Sequence, residues 1–187
     1  MLRSRGTTGL ETASLEITRM RRRHLRGVMA IERQAYARPW TPNLFVAEMS
    51  EPNNRNYLVA RIDRDVVGYA GLICYGDEAH VTNIAVDPML QGHGIAHRLL
   101  AEQIDAARDL GGTAVSLEVR VTNWRAQRIY ARFGFHPVGI RRNYYAELHE
   151  DALIMWTDDI GERAFRQRMA AIVGKLPAGI RPQAAGR

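Results

Sequence analysis

One segment of the chain, Asn83 to Ala96, constrains the fold more strongly than any other. Its first half is an apolar run that predicts a strand ending at Asp87-Pro88, and a loop with two glycines follows. From Ile95 onward, apolar residues at helical spacing predict an amphipathic helix. A helix that begins behind such a loop directs unpaired N–H groups and the positive end of its dipole to one point. The segment therefore predicts a turn that binds a pyrophosphate group.

The composition is typical of one soluble globular domain with extensions. The chain has 187 residues, of which 46% are hydrophobic and 25% are charged. Its one cysteine, Cys74, excludes an internal disulfide, and its apolar strand favours a core residue over an acyl-carrying nucleophile. The histidines lack metal-ligand spacing, so no metal is expected. No segment has the apolar length of a signal peptide or a membrane span, which predicts a cytoplasmic protein without membrane contact.

The net charge of +6 is concentrated at the two ends of the chain. Residues 1–26 and residues 161–187 each carry +5, whereas residues 27–160 carry −4. Two interpretations of the basic ends stay open. They are either solvated tails or segments that make weak contacts with ribosomal RNA or another polyanion.

Apolar periodicity divides the chain into a leader, one domain and a tail. Residues 1–14 are predicted to be a disordered leader, residues 15–158 the domain, and residues 159–187 a basic C-terminal helix and tail, with the helix peripheral. The predicted strands are 15–20, 57–62, 66–75, 79–86, 113–119, 135–140 and 152–156, and the predicted helices are 22–37, 42–49, 95–110, 124–133 and 161–173. This order predicts an α/β fold, with one mixed sheet and helices on both of its faces.

Two common phosphate-binding loops do not fit the segment. A dinucleotide-binding Gly-x-Gly-x-x-Gly loop needs a third glycine where His97 stands. A Walker loop needs Gly-Lys-Ser/Thr, which the sequence does not contain. The loop must therefore hold another kind of nucleotide.

The spacing of Gln91-Gly92-His93-Gly94-Ile95-Ala96 resembles the pyrophosphate loop of the GNAT superfamily of acyl-CoA-dependent N-acyltransferases, Gln/Arg-x-x-Gly-x-Gly/Ala. The downstream segments Leu117–Asn123, Ile129-Tyr130 and Phe133-Gly134-Phe135 are similar to the GNAT segments that bear an Asn, a helical Tyr and a Gly-Phe turn. Further matches narrow the resemblance to the RimI-type protein N-terminal acetyltransferases over about residues 15–158: Pro39-Trp40-Thr41, Arg141–Tyr145 and Glu150–Met155.

The resemblance implies a GNAT fold and direct transfer of an acetyl group from acetyl-CoA to the N-terminal α-amine of a protein. For the RimI type, it suggests an N-terminal alanine of a ribosomal protein as acceptor. Glu118 matches the general base of the family and Tyr130 the general acid toward the coenzyme A sulfur. We expect partial burial to raise the pKa of Glu118 toward that role. Plainer alternatives stay open: Glu118 paired with Arg120, and Tyr130 packed in the core.

The resemblance also implies the binding residues. Acetyl-CoA is expected to contact the backbone of the strand, the loop and the following helices: Ile84, Ala85, Val86, Gln91, Gly92, His93, Gly94, Ile95, Ala96, Asn123 and Tyr130. The Val86 N–H is expected to face the thioester carbonyl. The family commonly has Arg or Lys where this chain has Gly92, so backbone N–H groups are expected to carry more of the phosphate binding. The acceptor is expected to contact Trp40, Tyr144, Tyr145 and Asp151, although the aromatic residues could equally be edge-of-sheet packing.

Two rival functions remain at this level. One is a GNAT enzyme that acts on a small-molecule amine or a lysine. The other is a non-catalytic acyl-CoA-binding module, which would bind the coenzyme without turnover.

Overall fold

The structure is a computed structural model that describes residues 13–177, 179 and 180. Within these residues there are eight strands and five α-helices. The strands are β1 (Ala13–Arg19), β2 (Arg55–Ile62), β3 (Asp65–Tyr75), β4 (Glu78–Val86), β5 (Ala114–Arg120), β6 (His136–Tyr145), β7 (Glu150–Thr157) and β8 (Gly179–Ile180). The helices are α1 (Leu25–Ala35), α2 (Pro42–Met49), α3 (Ile95–Asp109), α4 (Trp124–Phe133) and α5 (Arg163–Gly174).

The strands form one mixed sheet in the order β6-β7-β5-β4-β3-β2-β1-β8. All neighbours are antiparallel except β4 and β5, which are parallel. Helices α3, α4 and α5 cover one face, where Leu117, Ile104 and Phe133 belong to one buried cluster. Helices α1 and α2 cover the other face, where Ile31 and Phe45 pack with Tyr69. The predicted α/β architecture with helices on both faces is confirmed.

Local sequence signals set several boundaries. The Thr41 side chain accepts a hydrogen bond from the Leu44 N–H, and Pro42 opens α2. The Asn123 side chain accepts from the Ala126 N–H at the start of α4, and Gly134, with a φ of +100°, ends that helix. Both helices therefore match their predicted bounds.

Other boundaries differ from the prediction. Strand β1 begins at Ala13, so the last two residues of the expected leader belong to the sheet, and residues 1–12 lie outside the described part. Helix α1 begins at Leu25 after a 3-10 turn and ends at Ala35. Strand β6 continues to Tyr145, well beyond the predicted Ile140. It is the outer strand and is exposed along most of its length, so its sequence lacks the alternation that marks a half-buried strand.

Helix α5 is not peripheral, contrary to the prediction. Phe165 and Met169, one helical turn apart, are buried in the same cluster as α3 and α4. The backbone beyond α5 then reaches β8, which pairs with β1 at the end of the sheet. Helix α5 is therefore part of the domain's core, and β8 is part of its sheet.

The parallel pair β4 and β5 opens a gap in the sheet. The two strands pair only between Glu78–Val81 and Ala114–Leu117. Strand β4 continues to Val86 and strand β5 to Arg120 without pairing with each other. Beyond this point, the edges of the two strands face the gap rather than each other's backbone.

Candidate active site

A cavity of about 540 Å³ lies in the gap between β4 and β5. This volume is within the range of small-molecule sites. The cavity extends from the loop before α3 to the end of β6, where Tyr145, Glu147 and Leu148 border it. Of the residues expected to bind acetyl-CoA, all except His93 line it. The ring of His93 instead lies 3.2 Å from the carbonyl oxygens of Leu90 and Gln91, within its own loop.

The loop before α3 leaves the helix N-terminus open. Gly94 occupies the N-cap position with a φ of +80°, and no side chain caps the helix. Gly92 has a φ of +87°, a conformation that side-chain-bearing residues rarely adopt. Because the first N–H groups of α3 lack intrahelical partners, they are available to an anionic ligand at the cavity.

A basic side chain stands beside this loop. The Nη1 atom of Arg125, from the first turn of α4, donates to the Gln91 side chain at 3.3 Å, and both residues line the cavity. Arg125 was not among the predicted site residues, because only the fold brings α4 next to the loop. It offers a positive charge near the position where Gly92 provides none.

The edge of β4 presents alternate backbone groups to the gap. The Asp87 N–H donates to the Val67 carbonyl on β3 at 2.9 Å. Since backbone groups alternate along a strand, those of Ala85 also face β3, whereas those of Ile84 and Val86 face the gap. An extended ligand can pair with these two residues, as an added strand would.

Tyr36 reaches the same strand edge from the residue after α1. Its hydroxyl donates to the Ile84 carbonyl at 3.2 Å and accepts from the Ile84 N–H at 3.3 Å. Burial raises the pKa of Tyr36, so the hydroxyl stays protonated. Tyr36 was not among the predicted site residues, because only the fold brings it to this strand.

The carboxyl group of Glu118 lies at the floor of the cavity with two partners. Its Oε2 atom is 3.0 Å from Nε2 of His80, and its Oε1 atom is 3.2 Å from Nε of Arg141. Burial raises the pKa of Glu118, but the hydrogen bond and charge of His80 and the charge of Arg141 together bring it below its usual value. The expectation of a raised pKa was therefore wrong, and the salt-bridge partner is Arg141 rather than Arg120. Both partners come from neighbouring parts of the sheet, which sequence spacing does not reveal.

Tyr130 is buried on α4 and lines the same cavity. Its ring packs on Phe135 with 5.8 Å between ring centroids, as the core-packing alternative supposed. Burial also raises its pKa, which keeps the phenol protonated at neutral pH. Core packing and contact with the cavity therefore coexist at this residue.

The four residues expected to bind the acceptor are not all at the cavity. Only Tyr145 lines it. Trp40 packs on Phe45 at 5.3 Å between ring centroids, and Tyr144 lies against Tyr145 at 5.1 Å. Asp151 accepts from the Arg142 side chain and from the Asn143 N–H, both at 2.8 Å. It therefore links β7 to the last residues of β6.

Among the described residues, no group of three histidine, cysteine, aspartate or glutamate side chains is placed to hold a metal ion. The helices in that part of the chain are also too short or too polar to cross a bilayer. The residues at the cavity do fit acetyl-CoA. An uncapped helix end suits its pyrophosphate. The edge of β4 beyond its pairing with β5 suits the amides of its pantetheine arm, which would take the place of the Tyr36 hydroxyl at Ile84.

Comparison with known proteins identifies relatives of this architecture. The model of the Acetyltransferase (GNAT) family matches residues 25–135. The N-alpha-acetyltransferase RimI of Mycobacterium tuberculosis is 44% identical over 124 residues, which are 64% of this chain and 76% of that protein. The ribosomal protein bS18-alanine N-acetyltransferase of Salmonella typhimurium is 39% identical over 129 residues, 67% of this chain and 84% of that protein.

A solved structure is also similar. The crystal structure of the ribosomal-protein-S18-alanine N-acetyltransferase from Escherichia coli has a TM-score of 0.70 and 32% sequence identity. The match covers 78% of this chain and 94% of that chain. Both sequence and fold therefore relate this chain to N-acetyltransferases.

Proposed function

The chain belongs to the GNAT family of acetyltransferases, with relatives of the RimI type, and from that premise we propose a protein N-terminus as its acceptor. It is an acetyl-CoA-dependent N-acetyltransferase. The names of its relatives point to the N-terminal alanine of a ribosomal protein, and with such an acceptor we propose the cytoplasm as its location. The observation that carries this proposal is the gap between β4 and β5, where the uncapped N-terminus of α3 and Glu118 line one cavity.

Acetyl-CoA supplies the activated acetyl group, and the described residues bind and orient it. The N–H groups at the start of α3 receive the pyrophosphate, with Arg125 adding a positive charge beside them. The backbone groups of Ile84 and Val86 pair with the pantetheine arm, and the Val86 N–H faces the thioester carbonyl. The Tyr36 hydroxyl bonds the same backbone groups of Ile84 that the pantetheine arm needs. The hydroxyl therefore moves away from Ile84 when acetyl-CoA binds.

Glu118 removes a proton from the α-ammonium group of the acceptor, directly or through a water molecule. The α-amino pKa is about 7.7–8.0, so a sizeable fraction of the amine is already neutral near pH 7.5 and little help is needed. Tyr130 gives its phenolic proton to the coenzyme A sulfur as the C–S bond breaks, and the phenolate regains a proton from the acceptor nitrogen, which loses its second N–H proton as the amide forms. A phenol that stays protonated at neutral pH suits that role, since a thiolate with a pKa of about 8.5 is a modest leaving group.

The acceptor enters from the end of the cavity opposite the phosphate loop. Tyr145 and Glu147 border this end, and Ala37 borders it from the segment after α1. A carboxylate at the entrance attracts the positively charged terminus of a peptide. Tyr144, which packs on Tyr145, and Asp151, which bonds Arg142 and Asn143 of β6, support this entrance from outside the cavity wall.

The proposal is tested with acetyl-CoA and a panel of N-terminal hexapeptides, by following thiol release. We expect an alanine-initiated peptide to react faster than an N-terminally blocked lysine peptide or small amines. Glu118→Gln and Tyr130→Phe should each lower kcat by about 100-fold, the lower end of general acid–base contributions, and Glu118→Gln should leave the Kd for acetyl-CoA unchanged. Two unaltered rates would contradict the assigned roles, and a preference for small amines would contradict the proposed acceptor.

The basic ends add a separate proposal. The charge of +5 on residues 161–187 suits a weak contact with ribosomal RNA near the acceptor protein. A charge-driven contact weakens steeply with salt, so RNA binding that does not depend on salt would contradict it.

A further inference from the structure

Asn83 is a buried asparagine at the cavity, and only one end of its side-chain amide is paired. The residue lines the cavity and is 7% exposed. Its Oδ1 atom accepts from the Thr82 hydroxyl at 3.3 Å, whereas its Nδ2 atom is buried and has no hydrogen-bond partner among the described residues. A buried N–H group without a partner lowers the stability of a fold and calls for an explanation. The unpaired end of this amide is therefore a candidate binding group for a ligand.

An irregularity in β4 sets the direction of the Asn83 side chain. Gly71 of β3 pairs with Asn83 and Leu72 with Val81, so Thr82 is an extra residue, as in a β-bulge. Val81 is buried in the cluster with α3, and its neighbour Thr82 therefore faces the opposite side of the sheet. A Cβ at Gly71 would lie 2.5 Å from Oγ1 of Thr82 and 2.6 Å from Oδ1 of Asn83, so both side chains lie over the same face. This is the face that α1 and α2 cover.

Glu118 lies on the same face, across the gap. Leu117 and Val119, on either side of it in β5, are buried in the cluster with α3. Since side chains alternate along a strand, Glu118 faces the other way, as Asn83 does. Asn83 also directly precedes Ile84 on β4, so it lies beyond the strand edge that the pantetheine arm uses, on the side away from the loop before α3. An acceptor whose amine reaches Glu118 therefore passes beside Asn83.

Polar side chains from β2 and α2 support the paired end of the amide. The Tyr57 hydroxyl lies 3.3 Å from the Thr82 hydroxyl and donates to Glu48 at 3.0 Å. Glu48 in turn forms an ion pair with Arg55 at 2.7 Å. With Oδ1 of Asn83 engaged by Thr82, the group left for a ligand is the Nδ2 donor. A donor of this kind binds a carbonyl oxygen and does not bind an ammonium group.

We propose that Nδ2 of Asn83 binds the carbonyl oxygen of the first residue of the acceptor peptide. This inference rests on the proposed function. At a peptide N-terminus, a single carbon atom separates the amine nitrogen from the carbonyl group, so the same residue can present its amine to Glu118 and its carbonyl to Asn83. A lysine side chain and simple amines have no carbonyl group beside the amine, and they leave Nδ2 unpaired in the complex. Asn83 therefore favours α-amines over other amines.

The test uses one variant, one control variant and two acceptors. Asn83→Leu keeps a branched side chain but has no N–H group, and the Thr82 hydroxyl can then donate to Tyr57 instead. The control is Asn53→Leu, because Asn53 is exposed in the turn before β2 and does not line the cavity. The two acceptors are hexapeptides that differ only in their first residue, alanine or β-alanine. β-Alanine places one more methylene group between the amine and the carbonyl, so the two groups no longer fit their partners together.

We expect Asn83→Leu to raise KM for the alanine peptide about tenfold, with little change in kcat, because the hydrogen bond exists before and during the reaction. The Kd for acetyl-CoA should stay unchanged, which also shows that the variant folds. The preference of wild type for alanine over β-alanine should fall by about the same factor, and Asn53→Leu should match wild type. An equal loss with both peptides, an unchanged preference in Asn83→Leu, or no preference in wild type would overturn the inference.

A second measurement uses the wild-type protein, with coenzyme A in place of acetyl-CoA so that no acetyl group is transferred. In NMR spectra, a saturating alanine-initiated peptide should shift one Nδ2 proton of Asn83 downfield as it gains a partner, whereas the Asn53 amide should not shift. An unmoved Asn83 amide would also overturn the inference. The two proposals fail separately: an enzyme that acetylates small amines in preference to alanine-initiated peptides contradicts the proposed acceptor. A fast reaction of both wild type and Asn83→Leu with the alanine peptide contradicts only the role of Asn83.

Discussion

At the level of single residues, two glycines determine the shape of the loop before α3. Gly92 and Gly94 both have a positive φ, but their surroundings differ. A Cβ at Gly92 would meet no atom within 4 Å, whereas a Cβ at Gly94 would lie 3.0 Å from the side chain of Leu176. The same substitution at the two positions therefore separates backbone strain from steric contact.

We expect Gly94→Ala to weaken acetyl-CoA binding more than Gly92→Ala. Both variants carry the cost of a side chain in the left-handed region, about 1–2 kcal/mol. Only Gly94→Ala also pushes the loop against Leu176, so it should lose tenfold or more in affinity, about 1.4 kcal/mol, relative to Gly92→Ala. Titration calorimetry with acetyl-CoA measures both constants. Equal losses, or the reverse order, would show that the contact with Leu176 does not shape the loop.

The residues that set the pKa of Glu118 could not be predicted from the sequence. Glu118 itself could be identified, because it lies in a segment with a recognisable pattern. His80 and Arg141 contact it from β4 and β6, and their positions depend on the register of the sheet. The sign of its pKa shift depends on these partners, so burial alone led to the wrong direction.

At the level of whole elements, α5 and the two residues Leu176 and Pro177 support the loop before α3. Helix α5 is anchored in the core by Phe165 and Met169. Directly after it, Leu176 contacts Gly94, and the Pro177 carbonyl accepts from the Arg98 side chain at 2.8 Å. The two residues Leu176 and Pro177 therefore help to fix the position of the N-terminus of α3.

We expect Leu176→Ala to weaken acetyl-CoA binding about three- to fivefold with little change in kcat. It removes packing from the loop, not a ligand contact, and a loss of about 1 kcal/mol is typical for a partly exposed apolar side chain. Leu44→Ala, a partly exposed leucine on α2, serves as the control. The double variant Gly94→Ala/Leu176→Ala should bind better than Gly94→Ala, because the contact is relieved. If the double variant is worse than either single one, the two residues do not interact in this way.

Sequence signals predicted the elements well wherever the signal is local. The predicted starts of α2 and α4 are confirmed, and in the structure Thr41 and Asn123 cap these two helices. The end of β6 and the burial of α5 depend on which element lies beside them, and neighbours distant in sequence decide that. The loop residues of the cavity could be predicted because they form one continuous motif. Tyr36 could not, because its contact with Ile84 joins residues distant in sequence.

At the level of the whole molecule, the sheet consists of two parts that share only a short parallel contact. Strands β4 and β5 join them through Glu78–Val81 and Ala114–Leu117. Beyond this contact the two parts face each other across the cavity, and acetyl-CoA in the gap would touch both. Ligand binding should therefore stabilise the fold as a unit.

Acetyl-CoA at about 100 times its Kd should stabilise the folded state by about 2.7 kcal/mol. For a chain of this size, each kcal/mol raises Tm by about 2–4 °C, so we expect a rise of about 5–10 °C. Differential scanning calorimetry measures it, with Kd determined separately. Glu118→Gln should show the same rise, since this residue acts on the acceptor amine. NAD(H) should give none, because the loop has His97 where a dinucleotide site needs glycine. A rise with NAD(H), or none with acetyl-CoA, would mean that the gap does not bind coenzyme A.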